Sequence, residues 1–418
     1  MSRSRREFIK AAALAGCLPF CGISGLAYEE SVNRKHPLLV ILFLRGGMDG
    51  LHVVAPSADP HYIQARPPEL RVAEAGENSG YVLDGALDAS AGFKLHPAAG
   101  ALADLYRGGE LAIVHAVGLN DGTRSHFVAQ DLIERGLVDE KFLHESKEGW
   151  LTRLIGSARP LSTTIPAYSA SSVPALSLSG GTQPFSAPEL AGGVGFPWGP
   201  VTGQVLRAFS REGQNPVDRA TIETLDLLET IDKQLPKDAQ GRVLPYAPAG
   251  KARYEGAGDL ARTLASVARL SRMEVGLQLA TVDFGGWDTH ESQGGKVGAL
   301  VKQLSLGMAA FREDMAAAKQ PFVLVGMTEF GRRLRANKSG GTDHGHGGCW
   351  MVLGDSVRGK KMYGRWPGLA TPQLDQGVDL AVTTDYRQVL AEVVRPWNIG
   401  SQRLFPGFAE STPLGLLA

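Results

Sequence analysis

Pro37-Leu38-Leu39-Val40-Ile41-Leu42-Phe43-Leu44 is an unbroken apolar run that stops at Arg45-Gly46-Gly47. It lacks the alternation of a half-solvated strand, so it reads as a strand buried on both faces, the pattern of a parallel sheet. Similar runs occupy Leu111 to Val117, Leu277 to Phe284 and Pro321 to Met327, with a shorter one at Trp350 to Leu353. Helical patterns lie between them. Pro97 is placed to open one that buries Leu102, Leu105 and Tyr106, and others are expected near 217–235, 259–273 and 385–395. Val297, Leu300, Val301, Leu304, Met308, Phe311 and Met315 recur at helical spacing. Buried strands alternating with helices predict an α/β sandwich with a largely parallel sheet. Residues 56–96 are rich in Pro, Gly and Asp and read as irregular. Residues 157–216 are rich in Ser, Gly and Pro and read as long loops with short strands, a substrate-facing insertion.

The N-terminus carries a different signal. Arg5-Arg6 is followed by Phe8-Ile9-Lys10 and an apolar run from Ala11 into Phe20. A basic segment before a run too short to span a bilayer predicts a twin-arginine signal peptide. The small residues of Gly25-Leu26-Ala27 set the expected cleavage after Ala27, which leaves residues 28–418 as one domain. A second option is lipidation of Cys17 within Leu14-Ala15-Gly16-Cys17. The expected location is the periplasm, with the twin-arginine translocase as the export partner.

Composition narrows the function classes. The 418-residue chain has 43 Lys and Arg against 43 Asp and Glu, so its formal net charge is zero. Removing residues 1–27, where four cations oppose Glu7, leaves a slightly acidic chain. That offers no electrostatic ground for nucleic acid or an anionic membrane as partner, and no later segment reads as a transmembrane span. Of three cysteines, only Cys349 lies beyond the signal, so no intramolecular disulfide is expected.

Ligands in sheets of this kind bind beyond the carboxyl ends of the strands. Polar clusters stand at four such ends: Gly46-Gly47-Met48-Asp49-Gly50, then Thr123-Arg124-Ser125-His126, then Gly286-Trp287-Asp288-Thr289-His290, and finally Thr328-Glu329 with Gly341-Thr342-Asp343-His344-Gly345-His346. Carboxylates with imidazoles suit zinc or manganese, and carboxylates with water suit magnesium or calcium. The candidate ligands are therefore Asp49, Asp288, His290, Glu329, Asp343, His344 and His346. Each has a plainer role open to it: a turn at Asp49, a loop hydrogen bond at Asp288 and His290, an ion pair for Glu329 with Arg332 or Arg333, and a surface loop at 343–346. His126 reads as structural, and His96 as a local cap. Two divalent ions at such a place would clamp a phosphoryl or sulfuryl centre. Ser125 sits where a helix N-cap belongs, either as a cap alone or as a nucleophile, with Arg124 available to grip the anion.

Leu44-Arg45-Gly46-Gly47-Met48-Asp49-Gly50-Leu51, Ser125-His126-Phe127, Gly286-Trp287-Asp288-Thr289-His290, Thr328-Glu329-Phe330-Gly331-Arg332 and Gly341-Thr342-Asp343-His344-Gly345 together resemble the twin-arginine-exported bacterial family called domain of unknown function 1501. That family is grouped with the alkaline phosphatase and sulfatase superfamily. The resemblance implies an alkaline phosphatase-like three-layer α/β sandwich with a two-metal site at the carboxyl edge of its sheet. It implies that Asp49 matches the metal ligand after the first strand, Ser125 the nucleophile, and Asp288, His290, Asp343 and His344 the late ligands. Two departures stand out: Glu329 occupies the place directly after the strand where the late Asp-His pair usually sits, and Asp288 and His290 are closer in sequence than in alkaline phosphatases. The absence of a Cys-x-Pro-x-Arg segment argues against a formylglycine sulfatase. The expected function is an exported metal-dependent hydrolase of phosphate or sulfate esters. A non-catalytic envelope protein binding a glycan or a protein is the alternative, and a phosphotransferase acting on envelope lipids or glycans a third.

Overall fold

The first apolar run forms a strand, Leu38–Leu44, in which all seven residues are buried. The computed structural model describes residues 36–418 except 145, 159–164, 182–183, 191–192, 197–198, 211–214, 274 and 410. The signal expected in residues 1–27, with Cys17 and Cys21, lies outside the described residues. The described strands are β1 (Leu38–Leu44), β2 (Val54–Pro56), β3 (Tyr81–Val82), β4 (Phe93–Leu95), β5 (Leu111–Gly118), β6 (Ala167–Ser169), β7 (Phe185–Ser186), β8 (Leu279–Phe284), β9 (Phe322–Met327), β10 (Gly348–Gly354), β11 (Lys361–Tyr363) and β12 (Thr384–Asp385). The main sheet runs β11-β5-β10-β9-β1-β8-β6-β7, and β12 also pairs with β5. Every pairing in it is parallel except the two made by β10. β2, β4 and β3 form a small antiparallel sheet, with β3 and β4 inside the 56–96 segment that reads as irregular.

β1 shows why helices cover both faces. Successive strand side chains point to opposite sides. Leu38, Val40, Leu42 and Leu44 join a core with residues of the helices Gly100–Arg107, Gly258–Ser271 and Gln293–Ala317. Leu39, Ile41 and Phe43 join a second core with residues of the helices His126–Arg135, Trp150–Ser157 and Tyr386–Val393. Full burial of each such side chain contributes roughly 1.5–3 kcal/mol. The architecture is therefore mixed α/β with a largely parallel central sheet. No helix among the described residues is long and apolar enough to cross a membrane.

One helix start differs from the expected layout. The helix after Pro97 begins at Gly100, because residues 96–99 form a turn: His96 accepts a bond from the Ala98 amide at its Nδ1 (3.0 Å), and its carbonyl takes the Ala99 amide. His96 thus braces the turn before the helix, while the N-cap is Ala99, with no side-chain bond to the helix. In the serine- and glycine-rich segment, β6 and β7 extend the sheet beyond β8.

The direction of β10 is what assembles the candidate site. β1, β5, β8 and β9 all end at one edge, and β10, antiparallel to them, begins there. The loop from β9 to β10 doubles back on itself, with Arg332 bridged to His344, the Arg333 amide on the Asp343 carbonyl and the Gly345 amide on the Gly331 carbonyl. This return brings residues 341–346 beside the ends of β1, β8 and β9. The turn after β1 is equally constrained. Gly46 has φ of +117°, and a Cβ there would fall 2.4 Å from the Asp288 amide nitrogen, so only glycine lets the β1 and β8 ends meet.

Just beyond that turn, Asp49 and Arg66 form an ion pair whose side chains are wholly buried, at 2.7 and 3.0 Å. Burial disfavours the Asp49 carboxylate, yet Arg66 and the Gln293 amide hold its pKa below the usual 3.8. The stability it contributes is complete above the ordinary carboxylate range and is lost as pH falls through its depressed value. Arg66→Met, which strands the Asp49 charge, is expected to cost about 3–5 kcal/mol in denaturant unfolding at neutral pH. Asp49→Leu with Arg66→Met should recover most of that loss.

Candidate metal centre

His126 opens the helix after β5, Asp288 and His290 follow β8, and His344 precedes β10. Ligand atoms of His126, Asp288 and His344 lie within 4.8 Å of one another, in a group that could hold a metal ion. His290 joins them from the side of Asp288 and His344. Asp288 Oδ1 is the focus: it lies 3.0 Å from His290 Nε2, 3.2 Å from His344 Nε2 and 3.4 Å from His126 Nε2.

The far nitrogen of each imidazole faces an oxygen acceptor. His126 Nδ1 lies 2.7 Å from Glu329 Oε1, His344 Nδ1 2.8 Å from the Arg124 carbonyl, and His290 Nδ1 3.3 Å from Asp343 Oδ1. The Arg124 carbonyl assigns the proton of His344 to Nδ1; in His126 and His290 both nitrogens face a carboxylate, and the tautomer protonated at Nδ1 is the one that turns the Nε2 lone pair inward. A carboxylate or carbonyl behind each ring is the usual setting of a metal-bound histidine. Two observations support the fit to a cation. His126 Nε2 is buried and makes no hydrogen bond. His290 Nε2 and His344 Nε2 stand 2.8 Å apart, so with both protons on Nδ1 two lone pairs would face each other. A cation between them removes that conflict.

Electrostatics around the cluster are graded. Burial opposes the Asp288 carboxylate, but the bond and charge of Arg332, together with His344 and His126, outweigh it and bring its pKa to about 2. Burial likewise opposes protonation of His126, whereas Glu329 and Asp288 hold its pKa above 6.5. Burial prevails at His344, which falls below 6.5. Glu329, though buried, is held below 4.5 by His126 and Gln130. It also accepts the Gly46 amide at 2.9 Å, and so links the β1 turn to His126. Asp343 is lowered chiefly by the Asn337 side-chain amide.

Of the residues singled out in the sequence, the structure brings Asp288, His290 and His344 together. Asp343 and Glu329 stand behind them, each against a histidine. Asp49 and His346 lie apart. Both carboxylate oxygens of Asp49 are taken by Arg66, with Gln293 and the His52 amide adding further bonds. His346 spends Nδ1 on Asp375 (3.0 Å) and faces the Leu119 carbonyl with Nε2 (2.9 Å). The Arg124 guanidinium pairs with Asp379 and Asp375. Ser125 is exposed, and its hydroxyl makes no capping bond to the helix it precedes. His126, which reads as structural in the sequence, supplies the third imidazole. The available signal was its place one residue after Ser125, at a strand-end helix start.

Residues 250–410 match the model of a family described as protein of unknown function (DUF1501). No curated protein matches the chain. The matched stretch holds Asp288, His290, Glu329, Arg332, Asp343 and His344; Ser125 and His126 precede it.

Removing the carboxylate behind His126 tests the arrangement. Glu329→Gln is expected to weaken binding of zinc or manganese about 10- to 100-fold, read by titration of metal-stripped protein, with the fold retained. Asp49→Asn, outside the cluster, should alter that affinity far less than its own effect on stability would suggest.

Proposed function

We propose that the chain is an exported metal-dependent hydrolase of phosphate or sulfate esters, built on an alkaline phosphatase-like sandwich. The observation that carries the reading is the convergence of three imidazole Nε2 atoms on Asp288 Oδ1, each ring with an oxygen behind it. The proposed ligands are His126, Asp288, His290 and His344. This donor set favours zinc or manganese over magnesium or calcium, which prefer oxygen. We assign one ion to it, since Asp49, the residue expected to help hold a second, already has a full positive charge at Arg66. A bound divalent ion would act as a Lewis acid toward a phosphoryl or sulfuryl oxygen.

The chain's own residues would do the rest. Ser125 lies in the chain between Arg124, whose carbonyl faces His344, and His126, and its side chain is exposed. It precedes the N-terminus of a ten-residue helix, where free amides and the dipole favour an anionic group. Ser125 Oγ would attack the phosphorus or sulfur and break its bond to the ester oxygen, the hydroxyl proton passing through solvent to the leaving alkoxide; water would then hydrolyse the seryl ester, restoring Ser125 and releasing the anion. Arg124, committed to Asp375 and Asp379, would hold this loop in place and leave the anion to the helix amides. Glu329 keeps His126 in one tautomer, and Arg332 fixes Asp288. Export through the twin-arginine translocase would suit a protein that receives its metal before crossing the membrane.

Elemental mass spectrometry on protein purified without chelator or histidine tag should find about one zinc or manganese per chain. Hydrolysis of aryl phosphates and aryl sulfates by that protein should be abolished by Ser125→Ala with metal still bound. Turnover retained in that variant removes Ser125 from the mechanism. No stoichiometric metal, even after incubation with zinc, manganese, magnesium and calcium, overturns the hydrolase and leaves a glycan- or protein-binding envelope protein.

A further inference from the structure

The ligands come from separate loops, and a metal centre needs their spacing held to a fraction of an ångström. Asp288 and His290 flank Thr289, and Asp343 and His344 follow Thr342. The two threonines point the other way from the ligands beside them: both are buried, whereas Asp288 and Asp343 have half their side chains exposed. Beneath the site, both threonine hydroxyls end on a single atom. Gln293 Oε1 accepts from Thr289 Oγ1 at 3.1 Å and from Thr342 Oγ1 at 2.6 Å.

The other end of the same amide is anchored in the turn after β1. Gln293 Nε2 donates to Asp49 Oδ2 at 2.6 Å and lies 3.3 Å from His52 Nδ1. Gln293 has no exposed surface. Its backbone amide bonds the Gly340 carbonyl at 2.9 Å, and the Thr342 amide reaches the Thr289 carbonyl at 3.3 Å. The side chain thus uses both acceptor sites of its oxygen and joins three loops that are distant in sequence. Few side chains meet this demand. Two hydroxyls need an acceptor, and Asp49 needs a donor on the same rigid amide. A glutamate would set a second charge against Asp49, and a methionine would leave both hydroxyls without their acceptor and Asp49 with Arg66 but one donor fewer.

We propose that Gln293 is a positioning residue for the metal centre: by clamping Thr289 to Thr342 it sets the distance between the Asp288–His290 pair and the Asp343–His344 pair. This rests on the metal-centre reading above. Gln293 touches no ligand atom of the centre among the contacts described, so its influence passes through the two threonines.

The test uses the full mature chain, stripped of metal and titrated with cobalt(II), whose visible absorption reports ligand geometry. Binding of cobalt by the wild-type chain is the precondition, and its failure overturns the metal-centre reading itself. With wild-type binding in hand, Gln293→Met should bind cobalt about 10- to 100-fold more weakly and show an altered visible band. The Thr289→Val, Thr342→Val double variant, which leaves the Gln293–Asp49 bond in place, should do the same, and it carries the test if Gln293→Met does not fold. Leu304→Ala, a core change in the helix that Gln293 begins, serves as the control for lost stability alone. It should lower the melting temperature of the metal-free protein while keeping the wild-type cobalt affinity and spectrum. Wild-type affinity and spectrum in the folded threonine double variant would overturn the clamp, as would an equal loss of affinity in Leu304→Ala.

Discussion

The Arg332 guanidinium is the interaction on which this end of the molecule depends. It is wholly buried and ties three loops together: Nε donates to the Gly47 carbonyl at 2.7 Å, one terminal nitrogen to Thr342, and the other to Gly46, Trp287 and Asp288. A buried cation without such partners would be costly. Here the carbonyls come from the turn after β1, the turn after β8 and the returning loop before β10. Satisfying one charge therefore forces these segments into a single arrangement. Asp288, the carboxylate in that set, is also the atom on which the imidazoles converge.

The carboxyl edge carries many charges, and their partners divide them into two kinds. Asp49 is matched by Arg66, Arg45 by Glu134 and Asp283, and Arg124 by Asp375 and Asp379. These pairs close on themselves and hold turns. The imidazole cluster is different, because its Nδ1 atoms are spoken for while its Nε2 atoms point at one carboxylate oxygen and at one another. Nitrogen and carboxylate oxygen atoms gathered at one point in this way could hold a cation. The same comparison separates the two roles proposed for the loop after β5. Ser125 keeps a free, exposed hydroxyl, whereas Arg124 is absorbed into the scaffold.

Much of the fold was legible because its signal is local. A strand buried on both faces must be apolar throughout, and a helix over a sheet must repeat its apolar residues near every third or fourth position. Leu38–Leu44 and the series from Val297 to Met315 obey these rules, and the structure places a strand and a helix there. Strand ends marked by glycine and acidic residues then pointed to the edge where Asp288, His290 and His344 meet. Less legible were ends and directions. Pro97 marks the approach to a helix but not its first turn, which depends on how His96 bonds the following amides. The loop between Met327 and Gly348 gave no indication that it would double back and begin an antiparallel strand.

The sequence by itself determined the main buried strands and the helices between them, that polar clusters stand at the strand ends, and that Cys349 is the single cysteine after residue 27. Only the tertiary structure decided which polar residues share a site. Asp49 and His346 look as fit for a metal as Asp288 and His344 when read along the chain, and His126 looks less so. Asp49 meets Arg66 and Gln293, and His346 meets Asp375, whereas His126 meets Glu329 from 203 residues away and so turns Nε2 toward Asp288. Periodicity is written in neighbouring residues, but the partner that captures or frees a side chain is set by contacts between distant segments. Those exist only once β10 has run back against β5 and β9.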